Sequence, residues 1–154
     1  MKKLAVLLAL ALASITFTTV QAHDDHNATP LQASLDQYFK IQAALAADSL
    51  KGVPEAAAAL ATAAKDAKGA VPEAAVLQAE ALAKANDIKT ARSAFKPLSA
   101  TLIAALSDRN EKSGHYYEAF CPMANASWLQ TDKKITNPYY GKSMLTCGEI
   151  RKEL

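Results

Sequence analysis

Cys121 and Cys147 are the only cysteines in the chain, and each has a methionine close by: Cys121-Pro122-Met123 on one side, Met144-Leu145-Thr146-Cys147-Gly148 on the other. In an extended segment residues two apart face the same way, so Cys121 and Met123 can address one point across Pro122. Met144 and Cys147, three apart, share a face where the chain makes a helical turn. Folding the intervening segment back would gather two thiols and two thioethers. Such a set suits Cu(I) or Ag(I), whereas Zn(II) more often takes four Cys or His ligands. Thioethers need no deprotonation and bind hard cations poorly, which adds selectivity. The same cysteines also fit a plainer role. In an exported protein they read as one disulfide, closing the Cys121 to Cys147 loop for roughly 3.5 kcal/mol in the chain-entropy model. Met123 and Met144 would then be gap-filling core residues. Residue types alone leave both readings open.

Other chemistry is thinner. His115 is near enough in sequence to be a fifth ligand, although a histidine just after Gly114 is more often a surface residue. His23 and His26 lie on a polar arm. With a free amine at His23 they could scavenge Cu(II) as an accessory site. Trp128, Tyr139 and Tyr140 would either shield a metal from water or form the satellite core that an irregular segment requires. No nucleophile with a matched base, no Gly-rich phosphate loop and no HExxH pattern occurs, so the chain does not read as an enzyme.

Met1-Lys2-Lys3, the apolar run Leu4 to Ala13 and the small-residue site Val20-Gln21-Ala22 read as a secretory signal peptide over residues 1–22, cleaved after Ala22. The expected location is the periplasm. No cysteine follows the apolar run to carry a lipid, and nothing after Ala22 approaches the roughly 18 apolar residues of a membrane span. The formal charge of +2 resides in Lys2 and Lys3, so the remainder is balanced. Neither nucleic acid nor an anionic membrane is indicated as a partner. The length after cleavage fits one domain with its own core.

The elements that must hold the sulfur pairs are mostly helical. Residues 23–30 read as a mobile arm, and 31–154 as a single domain whose segment 115–150 bears the Cys and Met residues. Leu31, Leu35, Tyr38 and Phe39 follow an i, i+4, i+7, i+8 pattern, the apolar stripe of a first helix. Asp48-Ser49 reads as its end and the cap of the next. A second helix, with Pro54 in its first turn, runs to about Lys68 with Gly69 closing it. Pro72-Glu73 opens a third over Ala74 to Ala85. Asp87 can cap a fourth that continues to about Asp108 with Ile88, Ala91, Phe95, Leu98, Leu102 and Leu106 on one face, Pro97 bending it. Alanine-rich faces permit close approach, so the expected fold is mainly α, an antiparallel four-helix bundle. Beyond Gly114 aromatic residues replace alanine. A C-terminal irregular segment with short strands, Tyr116 to Cys121 and Ser127 to Gln130, is expected on one end of the bundle.

The string Tyr117-Glu118-Ala119-Phe120-Cys121-Pro122-Met123-Ala124, followed by Trp128-Leu129, Ile135-Thr136-Asn137-Pro138-Tyr139-Tyr140-Gly141 and Met144-Leu145-Thr146-Cys147-Gly148, resembles a bacterial domain-of-unknown-function family. Tyr38 to Asp48 and Ala91 to Ser99 are similar to its helical pieces, and the resemblance spans nearly all of residues 31–150. The family occurs as small exported proteins and as a terminal domain on periplasmic adaptors of copper/silver-type heavy-metal efflux pumps. The resemblance implies a helical bundle with a Cys/Met-bearing tail and a link to heavy-metal handling. Cys121, Met123, Met144 and Cys147 are the candidate ligands, and His115 is a candidate fifth. The implied role is to buffer Cu(I) or Ag(I), or to hand it to an efflux adaptor or another periplasmic metal-handling protein. The alternative is a disulfide-clasped helical interaction module with no metal role.

Overall fold

The computed structural model describes residues 29–109 and 115–154. The expected signal peptide, and His23 and His26 of the arm, lie outside the described residues. Within them the chain is mainly helical, with four helices followed by a three-stranded antiparallel sheet. The helices are α1 (Pro30–Ala46), α2 (Val53–Asp66), α3 (Glu73–Ala83) and α4 (Ile88–Ser107). The strands are β1 (Tyr117–Cys121), β2 (Ala126–Gln130) and β3 (Glu149–Glu153), with a single 3-10 turn at Gly141–Ser143 between β2 and β3. No helix among the described residues is long and apolar enough to cross a membrane.

Local chemistry sets the helix ends. Thr29, assigned to the arm by sequence, caps α1 by accepting the Gln32 N–H at 3.2 Å, and Pro30 occupies the first turn, where its missing N–H is harmless. Asp87 caps α4 as its sequence implies, accepting the Thr90 N–H at 2.8 Å. Ser49 does not cap α2. Its hydroxyl accepts the Lys51 N–H, and α2 starts later, after Gly52 in a left-handed conformation at φ 80°. Helix α4 passes through Pro97 as one element.

Consecutive helices pack in chain order, α1 on α2, α2 on α3 and α3 on α4. Small residues make the inner faces: Ala56, Ala57, Ala61 and Ala64 of α2 and Ala75 and Ala79 of α3 are buried around Leu60 and Leu82. The sheet has the order β2-β1-β3. Tyr117 pairs with Gln130 and Cys121 with Ala126 across the hairpin, while Phe120 pairs with Glu149 on the other side of β1. Both hairpin strands fall within a residue of where the aromatic-rich composition led them to be expected, Tyr116 to Cys121 and Ser127 to Gln130. β3, Glu-Ile-Arg-Lys-Glu, is exposed at every position but Ile150 and carries no apolar alternation to announce it.

Strand β2 packs mainly on α4, and the C-terminal segment around the sheet makes contacts along α1, whose 17 residues extend about 25 Å. Tyr116 Oη donates to Gln32 Oε1 near the start of α1, Gln42 Nε2 donates to the Thr136 carbonyl further along, and Asp48 just past the end accepts the Lys142 N–H. At the centre lies fully buried Tyr38, stacked on Phe95 of α4 at 4.9 Å. Its hydroxyl meets Ser99 Oγ at 2.8 Å and accepts the Leu129 N–H of β2 at 3.0 Å. That N–H points away from β1, so one tyrosine satisfies the outer edge of the sheet and fixes it to the helices.

Candidate functional site

Cys121 is the last residue of β1 and is fully buried; Cys147 is half-buried, two residues before β3. The fold brings their sulfurs to 3.2 Å as free thiols. Gly148 makes this approach achievable. Its φ of 145° and the lack of a side chain let the chain pass Trp128 and the Phe120 carbonyl, which a Cβ would meet at 2.8 and 2.9 Å.

Around Cys121 the hairpin loop forms a cradle of donors. The Asn125 N–H closes a turn onto the Pro122 carbonyl at 3.2 Å, with Asn125 at φ 45°. Tyr140 Oη donates to the Met123 carbonyl and Lys96 Nζ to the Ala124 carbonyl, holding both outward. The backbone of Ala124 and Met123 favours the ionised form of the Cys121 thiol. Successive backbone N–H groups converging on one atom make an anion site. Burial alone would push this thiol up. The Ala124 N–H, the Cys147 thiol, the Asn137 side chain and the Met123 N–H outweigh burial and hold it below the usual thiol range. Cys147 shifts the other way, first because its thiol hydrogen-bonds to Cys121, then because of desolvation and the adjacent negative charge. The two thiols titrate as a coupled pair, Cys121 losing its proton first and Cys147 second.

Asn137 is the residue that inspection of the sequence missed. It is fully buried, and its Nδ2 donates to the Cys147 carbonyl at 2.8 Å while its Oδ1 accepts the N–H groups of Tyr139 and Tyr140. Its own N–H donates to the Leu145 carbonyl at 2.8 Å. One side chain thus joins the two arms of the loop and reaches the Cys121 sulfur. The signal available was the turn-forming Asn-Pro pair, which predicts a bend but not what it encloses. Trp128, fully buried, donates Nε1 to Gln130 and stands edge-on to Tyr139 at 5.9 Å, a core role beneath Gly148.

The other expected ligands are placed differently. Met123 contributes its N–H to the cradle, but its side chain is 63% exposed and lines a surface cavity with Ile88, Arg92, Lys96 and Tyr140, to which neither cysteine contributes. Met144 is half-buried and shares a turn with Cys147, its carbonyl accepting the Cys147 N–H at 3.0 Å. His115 is exposed at the far end of β1, six positions or about 20 Å from Cys121 along an extended chain. There it lines a cavity with Leu31, Arg109 and Leu154. Among the described residues no group of three or more His, Cys, Asp or Glu side chains gathers.

Residues 35–114, just over half of the chain, match the model of a family described as protein of unknown function, DUF3347. The chain belongs to DUF3347. No curated protein and no solved structure matches it. The DUF3347 match begins at Leu35 within α1 and takes in α2, α3 and α4, stopping before β1. Family membership is therefore carried by the helices. The dithiol lies in the C-terminal segment that those helices position.

Proposed function

We propose that this DUF3347 protein binds a soft monovalent metal ion, Cu(I) or Ag(I), through the thiols of Cys121 and Cys147, and buffers it or passes it on. The observation that supports this most is the 3.2 Å thiol pair, with one sulfur held in a cradle of backbone N–H donors. A cradled thiolate is a ready soft ligand, and N–H···S hydrogen bonds orient it as outer-shell partners orient metal ligands. Two thiols suit an ion content with few soft ligands. Met144, in the same turn as Cys147, is the thioether proposed to add a third. Met123, exposed at the surface, is proposed to meet an incoming ion or a partner first. We take the four helices as an antiparallel bundle serving as the scaffold.

The wider setting follows from the resemblance described above: export to the periplasm through the leader at residues 1–22, and transfer to a heavy-metal efflux adaptor or another periplasmic metal-handling protein. Low-coordinate binding by a half-exposed thiol permits such transfer by ligand exchange. The decisive experiment is an anaerobic Cu(I) titration of reduced protein against a competing chelator. Tight binding is expected to disappear in Cys121→Ser and Cys147→Ser and to weaken in Met144→Leu. Wild-type affinity in both cysteine variants would remove the metal reading and leave a disulfide-clasped interaction module.

A further inference from the structure

We propose that Cys121 and Cys147 also form a thiol–disulfide exchange centre that is entered through Cys147 alone. This goes beyond metal binding and does not depend on it. Two observations on geometry carry it. The sulfurs stand at 3.2 Å, about 1.2 Å from the covalent S–S distance of about 2.05 Å, so the bond forms with a small side-chain shift. Access is asymmetric, because Cys121 is completely buried while Cys147 is partly exposed.

The steps balance as follows. Cys147 gives up its proton, and its thiolate attacks an external disulfide, R–S–S–R, forming a mixed disulfide and releasing one RS−. The Cys121 sulfur then attacks Cys147 Sγ and expels the second RS−. The two thiol protons pass to the two released thiolates, and the pair has lost two electrons to the external disulfide. In the reverse direction an external thiolate reaches only Cys147 Sγ, and Cys121 departs as the leaving thiolate. Exchange depends on which sulfur is open to attack, and this fold exposes Cys147 while it buries Cys121. A disulfide so arranged is readily reduced, unlike a structural one sealed from solvent.

The test uses the full chain, stripped of metal and kept with a soft-metal chelator, so that its outcome is independent of the Cu(I) titration. Reduced protein is exposed to glutathione disulfide and followed by intact mass. Wild type is expected to lose two hydrogens without retaining glutathione. Cys121→Ser should accumulate a single glutathione adduct at Cys147, and Cys147→Ser should react at Cys121 at least about tenfold more slowly. A brief pulse of alkylating reagent on wild type, followed by peptide mapping, gives the same information without any substitution and should mark Cys147 first. An adduct or first label on Cys121, or retention of glutathione by the wild-type pair, would overturn the proposal.

Discussion

Cys121 loses its proton more readily than an ordinary thiol because the hydrogen-bonding groups around it outweigh its burial. Tyr140 and Lys96 take the carbonyls of Met123 and Ala124. Without those groups, burial would dominate and raise the thiol instead. The sign of the resulting pH dependence differs between the two cysteines. Cys121, lowered on folding, contributes stability that is present above the unfolded thiol value and lost as pH falls through its folded value. Cys147, raised on folding, contributes stability that is present below the unfolded value and lost as pH rises through its folded value. The reduced protein should thus be most stable near the ordinary thiol value, and thiolate absorbance should titrate in two steps, one on each side of it. Replacing Asn137 by Ala removes a donor to Cys121 and leaves the buried Tyr139 N–H and Cys147 carbonyl without their partner. The first step is expected to move upward, with about 1–3 kcal/mol lost from stability in urea unfolding. A single thiolate step at the ordinary value in wild type would refute the cradle. Sulfur chemistry was readable from residue types, because Cys and Met announce it wherever they stand. The cradle was not, because it is made of backbone groups and one asparagine whose roles depend on which way a loop turns.

At the scale of elements, the two arms that carry the cysteines are held by close passages that only glycine allows. Gly148 lies against Trp128 and the Phe120 carbonyl. Gly141, at φ 54°, lies so close to the Asp48 carboxylate and the Arg92 guanidinium that no Cβ fits. Arg92 in turn donates to the Pro138 and Leu45 carbonyls at 2.8 Å and pairs with Asp48 at 2.6 Å, tying the loop to the end of α1 and the start of α4. Gly148→Ala should force the chain off the Phe120 carbonyl, since a backbone oxygen cannot rotate aside, and carry Cys147 away from Cys121. The expected result is a loss of about 1–3 kcal/mol and slow, incomplete disulfide formation under oxidation, with helical circular dichroism at 222 nm unchanged. Rapid quantitative bonding in this variant would show that the Gly148 passage does not set the sulfur distance. Helices of this chain are legible because a 3.6-residue stripe repeats over several turns, as from Leu35 to Leu45. The glycine passages are not, because what they avoid is distant in sequence: Gly141 from Asp48 and Arg92, Gly148 from Trp128.

Across the whole molecule, the DUF3347 helices and the C-terminal sheet are joined by polar contacts as well as by apolar packing. Tyr38 is the clearest of these, since its hydroxyl satisfies the Leu129 N–H of β2 and engages Ser99 of α4 from a fully buried position on α1. Burial raises its own ionisation well above the usual tyrosine value, so it remains a neutral donor and acceptor throughout the physiological range. Gln42 adds a second tie to Thr136 and Tyr116 a third to Gln32. Short β-hairpins need a further strand with a hydrophobic face or packing against a helix to be stable in water, and here a helix residue takes an N–H on the outer β2 edge. The sheet should therefore have no stability apart from the helices, and the dithiol should persist only while they are folded. Helix circular dichroism and Trp128 fluorescence are expected to report one coincident thermal transition in wild type. In Tyr38→Phe the buried Leu129 N–H and Ser99 hydroxyl lose their shared partner at a cost of about 1–3 kcal/mol, which lowers the midpoint by several degrees. The two probes should still coincide, because Phe keeps the stacking on Phe95 and the remaining ties hold. If the fluorescence transition instead separated to lower temperature while the helices melted as before, the sheet would be an independent unit, and the thiol pair could open without unfolding its scaffold.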